Sequence, residues 1–152
     1  MKPEREIRSA TTEDLAIVED VVREAYEIYV GRIGKSPGPM LDDYAALIDT
    51  GAVSVSEIDG RIAGIIVLLE KPDHLLLDNI AVRRKAQGQG LGRRLIAFAE
   101  AEARRRGFRE LRLYTHVMMV ENIALYMRLG FIETGRATEA GYDRVFMTKH
   151  LV

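Results

Sequence analysis

The residues most able to do chemistry form a basic, glycine-rich segment in the middle of the chain. An apolar run, Ile80-Ala81-Val82, leads into three cations and then into Gln87-Gly88-Gln89-Gly90-Leu91-Gly92. Glycine lets the backbone approach a ligand closely, and a helix that begins here adds N–H groups and partial positive charge. The segment therefore predicts a cradle for a phosphate-bearing cofactor.

Two common phosphate-binding patterns do not match this segment. A P-loop requires Gly-Lys followed by Ser or Thr, whereas Gly92 is followed by Arg93 and Arg94. A dinucleotide-binding fingerprint requires its third glycine at the position of Arg93, in a βαβ unit that usually opens the chain. Both patterns are poor descriptions of this segment.

Composition limits the class of protein. The 152 residues carry a net charge of −1, with 47% apolar and 30% charged residues, which is ordinary for a soluble domain and argues against nucleic acid as a partner. The chain has no cysteine, so disulfides and thiolate chemistry are excluded, and its histidines form no metal-ligand pattern. It has neither a membrane-spanning run nor the apolar core of a signal peptide. We expect one cytoplasmic domain over residues 1–152, without a metal or a membrane partner.

The elements that must position the segment follow from hydrophobic periodicity and turn residues. The pattern predicts strands over residues 6–10, 52–58, 62–69, 74–82, 111–115, 131–136 and 144–150. It predicts helices from about residue 15 to Gly31, over residues 41–48, from Gly92 to about residue 106, and over residues 121–129. Asp59-Gly60 is a hairpin signal between the second and third strands. The irregular order of elements indicates a mixed α/β sheet.

Three motifs together resemble one known family. Residues 87–92 fit Gln/Arg-x-x-Gly-x-Gly/Ala, residues 78–82 read Asp-Asn-Ile-Ala-Val, and residues 122–131 end in Leu-Gly-Phe. With these motifs the chain resembles the GCN5-related N-acetyltransferase (GNAT) superfamily over nearly its whole length, most strongly from Ile80 to Phe131. The resemblance implies an α/β (α+β) fold with a mixed, mainly antiparallel sheet of six to seven strands and about four helices.

The resemblance also implies acetyl-CoA as co-substrate. The backbone of Ile80, Ala81 and Val82 is expected to pair with the pantetheine arm and to polarise the thioester carbonyl. The other residues expected to bind acetyl-CoA are Gln87, Gly88, Gln89, Gly90, Leu91, Gly92, Arg93 and Asn122. Arg83, Arg84 and Lys85 are expected to face the 3′-phosphate, and the sequence does not say which of them makes the contact.

Tyr126 is the predicted general acid for the leaving thiolate. It follows Asn122 by four residues on one helix face, and the matching tyrosine of the family lies near the thioester sulfur. Its alternative role is a core tyrosine beside Leu125 and Leu129. Many relatives carry asparagine where this chain has Met119, so Asn122 is predicted to take over that contact.

Asp78 is the leading predicted general base, because a carboxylate that interrupts an apolar strand is costly unless it is paired or functional. A hydrogen-bonded structural carboxylate is its alternative role. Glu27, His116 and Tyr114 are the other candidates, and a base acting through a water stays open. Tyr114 stands where some relatives carry a catalytic glutamate.

In the resembling family the acceptor binds between the first two helices, their connecting loop and the late strands. The corresponding residues here are Tyr26, Tyr29, the loop 34–40, Asp42, Asp43 and Tyr142. They do not name the acceptor, so small amines, amino-acid derivatives and peptide N-termini all stay open. The resemblance alone also suggests a homodimer formed through the late strands.

The first functional hypothesis is an acetyl-CoA-dependent N-acetyltransferase in which a primary amine attacks directly in a ternary complex. The alternative is a non-catalytic acyl-CoA-binding sensor or interaction module that kept the cradle, and retention of Tyr126 favours the enzyme. A nucleic-acid-binding domain that uses the cations at 83–85 and 104–106 is the weakest hypothesis.

Overall fold

The computed structural model describes the backbone of residues 5–151 and the side chains of residues 6–151. Its helices are α1 (Leu15–Ile33), α2 (Tyr44–Asp49), α3 (Leu91–Arg105) and α4 (Val120–Arg128). Its strands are β1 (Arg5–Ser9), β2 (Val53–Ile58), β3 (Arg61–Glu70), β4 (Leu75–Val82), β5 (Glu110–His116), β6 (Ile132–Glu139) and β7 (Tyr142–His150). Short 3-10 turns cover Thr12–Asp14, Gly38–Leu41 and Arg84–Ala86.

The seven strands form one sheet in the order β1-β2-β3-β4-β5-β7-β6. Strand β4 pairs with β5 in parallel, and the pairs β1–β2, β2–β3, β5–β7 and β6–β7 are antiparallel. These pairings and the four helices confirm the predicted mixed, mainly antiparallel fold. No helix within residues 5–151 is long and apolar enough to cross a membrane.

By internal contacts the chain divides into two compact units. Unit 1 comprises Met1–Leu68 and Asn79–Leu95, and unit 2 comprises Leu69–Asp78 and Ile96–Val152. The glycine-rich segment lies in unit 1, whereas Asp78, Asn122 and Tyr126 lie in unit 2. The single domain over residues 1–152 stays a prediction.

Unit 1 is built on strand β3 and helix α1. Residues 62–68 of β3, including Gly64, are all buried, as expected for a strand covered on both faces. Helix α1 buries one face at helical spacing, formed by Val18, Val21, Val22, Tyr26 and Tyr29. A Cβ added to Gly64 would lie 3.2 Å from both the Ala81 carbonyl oxygen and Leu95 Cδ1. Glycine at this position therefore lets the first turns of α3 lie close to β3.

Unit 2 contains the strands that follow α3. The pairing of β4 with β5 joins Leu75–Leu77 to Leu111–Leu113. Residues of β5 alternate between fully buried and half-buried, and the half-buried set includes Arg112, Tyr114 and His116. Tyr114 lies opposite Phe146 of β7. One face of β5 is thus core, and the other carries side chains that solvent or a ligand can reach.

Two of the helix boundaries that differ from prediction lie at glycines. Helix α1 continues past Gly31 and ends at Gly34, which takes a left-handed φ of 85° and donates its N–H to the Val30 carbonyl oxygen at 2.8 Å. Helix α3 begins at Leu91, so Gly92 lies within its first turn. In both cases the boundary is set by backbone conformation, which the mere presence of a glycine does not fix.

Helix α2 begins at Tyr44, three residues later than predicted from residue 41. The side chain of Asp43 accepts the Ala46 N–H at 3.1 Å and caps the helix. The predicted hairpin between β2 and β3 is confirmed, because Asp59 and Gly60 have φ of 51° and 79°, the positive values that a two-residue type I′ turn needs.

Candidate active site

The glycine-rich segment of unit 1 has an open, left-handed backbone. Gly88 and Gly90 have φ of 78° and 79°, and a Cβ added to either would meet nothing within 4 Å. Other residues are disfavoured there by backbone conformation alone, and the space beside the loop is free for a ligand.

Two glutamine side chains hold this loop in shape. Gln87 Nε2 donates to the Val82 carbonyl oxygen at 3.1 Å, and Gln89 Nε2 donates to the Lys85 carbonyl oxygen at 3.0 Å. Both glutamines were predicted to bind cofactor. Their side-chain amides brace the loop, and their role toward a cofactor stays a prediction.

The loop runs directly into the N-terminus of α3. The Arg94 N–H donates to the Gly90 carbonyl oxygen at 3.1 Å, which closes the first helical turn. The N–H groups just before Arg94 have no acceptor within the helix, and the helix dipole adds partial positive charge at the same end. Leu91 is buried and anchors this end of the helix in the core of unit 1. The arrangement is that of an anion-binding helix start preceded by open glycines.

Arg83 is already occupied by α1. Its guanidinium lies 2.9 Å from an oxygen of Asp20 and 2.8 Å from an oxygen of Glu24, and its Nε donates to the Ile62 carbonyl oxygen at 3.1 Å. Two carboxylates and a carbonyl therefore hold this side chain within unit 1. Arg83 therefore has a structural role, and which of the three cations contacts a 3′-phosphate stays open.

Arg84 and Lys85 are exposed in the same turn. The Arg84 guanidinium is 3.8 Å from Glu27 and 54% exposed, and its backbone N–H donates to Glu24 at 3.0 Å. Glu27, one of the alternative bases, is therefore beside a cation on the surface of unit 1. Arg83 is half-buried, so Arg84 and Lys85 are the more accessible cations of this turn.

In unit 2, the Asp78 carboxylate is held by Tyr114. The backbone pairing of β4 with β5 ends at Leu77 and Leu113, and the next residue on each strand continues the connection through its side chain. The Tyr114 hydroxyl donates to Asp78 Oδ1 at 3.1 Å. Two residues predicted separately as base candidates are thus one hydrogen-bonded pair.

Burial raises the pKa of the Asp78 carboxyl above its ordinary value, and the Tyr114 hydrogen bond and the charges of Lys71 and Arg144 counteract part of that effect. The Arg144 guanidinium carbon lies 4.3 Å from the centroid of the Tyr114 ring, in cation–π contact. A carboxylate with a raised pKa, held by a phenol, is a suitable proton acceptor near neutral pH.

Tyr126 is 5% exposed on α4, and its ring centroid is 5.8 Å from that of Phe131 in an edge-on arrangement. Asn122 lies one turn earlier, with Nδ2 3.9 Å from the sulfur of buried Met119. The helix therefore carries both residues as the spacing predicts, with the tyrosine ring packed into unit 2. Their roles toward a cofactor stay predictions.

His116 is tied to the backbone. Its Nδ1 accepts the Met118 N–H at 3.1 Å, and its ring meets that of Tyr142 edge-on at 6.3 Å. Within residues 5–151 no group of three or more His, Cys, Asp or Glu side chains is arranged to hold a metal ion. His116 ends β5, and its role as an alternative base stays a prediction.

A family model described as the acetyltransferase (GNAT) family matches residues 18–131, which is most of the chain. The chain belongs to the GNAT family. The match begins in α1 and ends at Phe131, so it contains the glycine-rich segment, the Asp78–Tyr114 pair and Tyr126.

Curated GNAT relatives match part of the chain. It is 42% identical over 64 residues to mouse N-alpha-acetyltransferase 80, covering 42% of this chain and 19% of that protein. It is 33% identical over 87 residues to rat N-acetyltransferase family 8 member 3, covering 53% and 38%. The chain thus spans well under half the length of these relatives.

Solved N-acetyltransferase structures match nearly the whole chain. The ribosomal-protein-S18-alanine N-acetyltransferase of Escherichia coli is 25% identical with a TM-score of 0.77, covering 97% of this chain and 94% of that one. The PaiA N-acetyltransferase of Thermoplasma acidophilum, solved in complex with coenzyme A, is 20% identical with a TM-score of 0.79, covering 97% and 99%. The second comparison shows the fold.

Within this GNAT chain, two polar residues escaped the sequence analysis. Asn79 is 3% exposed and bonded to two tyrosines, and Arg144 lies over the Tyr114 ring. Asn79 could have been found by the argument used for Asp78, because it too interrupts an apolar strand. Arg144 carried no such signal, because one arginine on a half-exposed strand is unremarkable in sequence.

The predicted acceptor residues belong to both units. Tyr26 and Tyr29 are each 6% exposed on α1, so their rings belong to the core of unit 1. The side chain of Asp43 caps α2. The loop 34–40 is in unit 1, and half-buried Tyr142 is in unit 2.

Proposed function

We propose that this GNAT chain is an acetyl-CoA-dependent N-acetyltransferase that moves an acetyl group to a primary amine by direct attack in a ternary complex. The observation that carries the proposal is the open loop at Gly88 and Gly90, which leads into the N-terminus of α3. Family membership supports the donor. The acceptor is a small molecule, an amino-acid derivative or a peptide.

On the donor side, the backbone of Ile80, Ala81 and Val82 is proposed to pair with the pantetheine arm of acetyl-CoA. The loop from Gln87 to Arg93 is proposed to hold the pyrophosphate through backbone N–H groups, for which the space around Gly88 and Gly90 leaves room. Bound acetyl-CoA supplies an activated acetyl group as a thioester. An N–H at the end of β4 is proposed to stabilise negative charge on its carbonyl oxygen.

On the catalytic side, Asp78 is proposed to take a proton from the ammonium or the attacking amine. The new C–N bond forms as the C–S bond breaks, and the Tyr126 hydroxyl is proposed to protonate the departing sulfur. An alkyl ammonium with a pKa near ~10.4 is overwhelmingly protonated at neutral pH, so a proton acceptor is needed. The raised pKa of Asp78 and its bond to Tyr114 support this role.

The exposed cations supply a test of 3′-phosphate binding. Lys85→Ala and Arg84→Ala are each expected to weaken binding of coenzyme A about threefold to tenfold and to leave binding of dephospho-coenzyme A unchanged, since each removes a charge-assisted contact to one phosphate. Arg83→Ala is the control, and it is expected to affect both ligands equally. Calorimetry with the two ligands measures the ratio, and an equal loss for both with Lys85→Ala and Arg84→Ala would contradict the assignment.

Thiol release from acetyl-CoA over a panel of primary amines tests the activity. Turnover with at least one amine is expected, and Tyr126→Phe is expected to lower kcat about a hundredfold with little change in coenzyme A affinity or Tm. If coenzyme A binds but no amine in the panel is acetylated, the alternative of a non-catalytic acyl-CoA-binding module is favoured. Equal kcat for the variant and the wild type would remove Tyr126 as the acid.

We also propose that residues 1–152 act as one domain in the cytoplasm, and that the chain forms a homodimer through its late strands. The resemblance of the chain to its family supports the dimer. The low net charge of −1 supports a protein that needs no nucleic-acid partner.

A further inference from the structure

A chain of buried and part-buried hydrogen bonds crosses unit 1 from β4 to the loop before α2. The Tyr26 hydroxyl lies 2.5 Å from Asn79 Oδ1 and 2.9 Å from the Ile80 carbonyl oxygen. Asn79 Nδ2 donates to the Tyr44 hydroxyl at 2.7 Å, and that hydroxyl donates to the Pro39 carbonyl oxygen at 2.6 Å. We name Tyr26, Asn79 and Tyr44 the polar bridge.

The polar bridge joins four parts of unit 1. It connects α1 through Tyr26, β4 through Asn79 and α2 through Tyr44, and it reaches the segment 34–41 through the Pro39 carbonyl oxygen. The three side chains are 3 to 6% exposed. A buried amide is costly unless its polar atoms are bonded, and a bonded network fixes one geometry more strictly than apolar packing does.

The segment 34–41 contains the loop 34–40, which the resemblance to the GNAT family assigns to the acceptor, and we name this segment the acceptor wall. It is nearly without regular structure, apart from the 3-10 turn Gly38–Leu41. Inside it, the Met40 N–H donates to the Pro37 carbonyl oxygen at 3.0 Å. The Tyr44–Pro39 bond is therefore a specific attachment of this wall to the rest of unit 1.

We propose that Asn79 is a positioning residue that couples the acetyl-CoA strand to the acceptor wall. This inference rests on the proposed function, because β4 at Ile80 is the strand assigned to the donor and the wall is assigned to the acceptor. Binding of acetyl-CoA restricts the motion of β4, and the hydrogen bonds of the polar bridge extend that restriction to Pro39. The acceptor then meets a wall that is already in place.

The chemistry of the bridge explains how the coupling works. A tyrosine hydroxyl has one proton, so Tyr26 shares it between Asn79 Oδ1 and the Ile80 carbonyl oxygen. A ligand that fixes the backbone at Ile80 changes the strength of the hydrogen bond that the Tyr26 hydroxyl donates to Asn79 Oδ1. The orientation of the Asn79 amide then decides the bond to Tyr44, and through it the position of Pro39.

Amide hydrogen exchange with coenzyme A as the probe tests the coupling without any need for turnover. In the wild type, coenzyme A is expected to slow exchange in β4 and to slow exchange of the Met40 amide about fivefold, the effect of one hydrogen bond on local opening. In Asn79→Leu, which keeps the branched shape and removes the polar atoms, β4 is expected to stay protected. The slowing of Met40 amide exchange by coenzyme A is expected to fall below twofold in this variant.

Ile48→Val is the matched control, because Ile48 is a buried residue of α2 outside the bridge. It is expected to lower Tm slightly and to keep the coupling of Met40 to coenzyme A. If Asn79→Leu does not fold, Tyr44→Phe removes the attachment to Pro39 and is expected to give the same loss of coupling. With an active amine, either bridge variant is expected to raise the acceptor KM about fivefold with little change in kcat.

The outcomes separate the inference from the proposed function. If coenzyme A does not bind the wild type, the proposed function and this inference are both overturned. If coenzyme A binds and protects β4 while Met40 exchange is unchanged, the inference alone is overturned. It is also overturned if Ile48→Val weakens the coupling as much as Asn79→Leu does, because the bridge would then be ordinary packing.

Discussion

Gly90→Glu is expected to lower the affinity for coenzyme A at least a hundredfold while the protein stays folded. Gly90 has a φ of 79° and open space beside it, so a side chain fits sterically but occupies the place proposed for the pyrophosphate. A carboxylate there repels the phosphates and blocks the approach of the backbone. A hundredfold loss corresponds to roughly 2.7 kcal/mol of binding free energy. Isothermal titration calorimetry with coenzyme A measures it.

Gly51→Glu is the matched control for this substitution. Gly51 also lies in unit 1, has a φ of 78° and meets nothing within 4 Å. The two variants therefore share the backbone strain, about 1–2 kcal/mol, and the change of charge. Gly51→Glu is expected to lose a similar amount of stability and to bind coenzyme A normally. Unchanged affinity in Gly90→Glu would remove the basis of the donor assignment.

Asp78→Asn is expected to lower kcat about a hundredfold or more and to alter the pH profile. The general base must be ionised, so wild-type kcat/KM is expected to fall as pH drops through the raised pKa of Asp78. The variant has no such group, and this acidic limb is expected to disappear. Initial rates with the best amine over a range of pH measure both effects. A wild-type profile retained in the variant would show that another group is the base.

Stability separates a catalytic from a structural role for Asp78. Because burial raises the pKa of Asp78 in the folded state, the folded state binds this proton more tightly than the unfolded state does. The contribution of Asp78 to stability is therefore lost as pH rises through that pKa, and the ionised form is a cost at neutral pH. Asp78→Asn is expected to keep or raise the free energy of unfolding at pH 7.

Glu110→Gln is the control, since Glu110 is a half-buried carboxylate of β5 in unit 2 that pairs with Arg112 at 2.5 Å. Its substitution breaks an ion pair and is expected to cost a little stability without affecting kcat. If Asp78→Asn instead behaves like Glu110→Gln, with reduced stability and full activity, Asp78 is the structural carboxylate that the sequence also allowed.

The elements of the fold were predictable because their signals are local. Asp59-Gly60 requires only two adjacent residues to form its turn, and the buried face of α1 repeats at helical spacing. Boundaries were less predictable, because Gly31 and Gly34 look alike in sequence while only Gly34 adopts the left-handed conformation that ends the helix. Composition indicates where a helix can stop, and tertiary packing decides where it does stop.

The sequence predicted the glycine-rich motif of the candidate site but not the side-chain contacts between distant parts of the chain. The loop at residues 87–92 was identified from its own residues. The sequence did not show that Arg83 is bound to carboxylates while the side chains of Arg84 and Lys85 are exposed. Arg83 is held by Asp20 and Glu24, about sixty positions earlier in the chain, and only the packing of α1 brings them together. The bond between Asp78 and Tyr114 has the same origin, because it depends on the register of two strands.

Strand β6 has a consequence for self-association. It ends the sheet, seven of its eight residues are exposed, and its pairing with β7 is irregular between Glu133 and Gly135. Glu133 also forms an ion pair with Arg136 at 2.9 Å. Charges and a bulge on an edge strand prevent a foreign strand from adding to it, which protects the protein from aggregation. If the late strands form a dimer, we therefore expect it to join through side-chain surfaces, because continuing the sheet from one copy to the next is disfavoured.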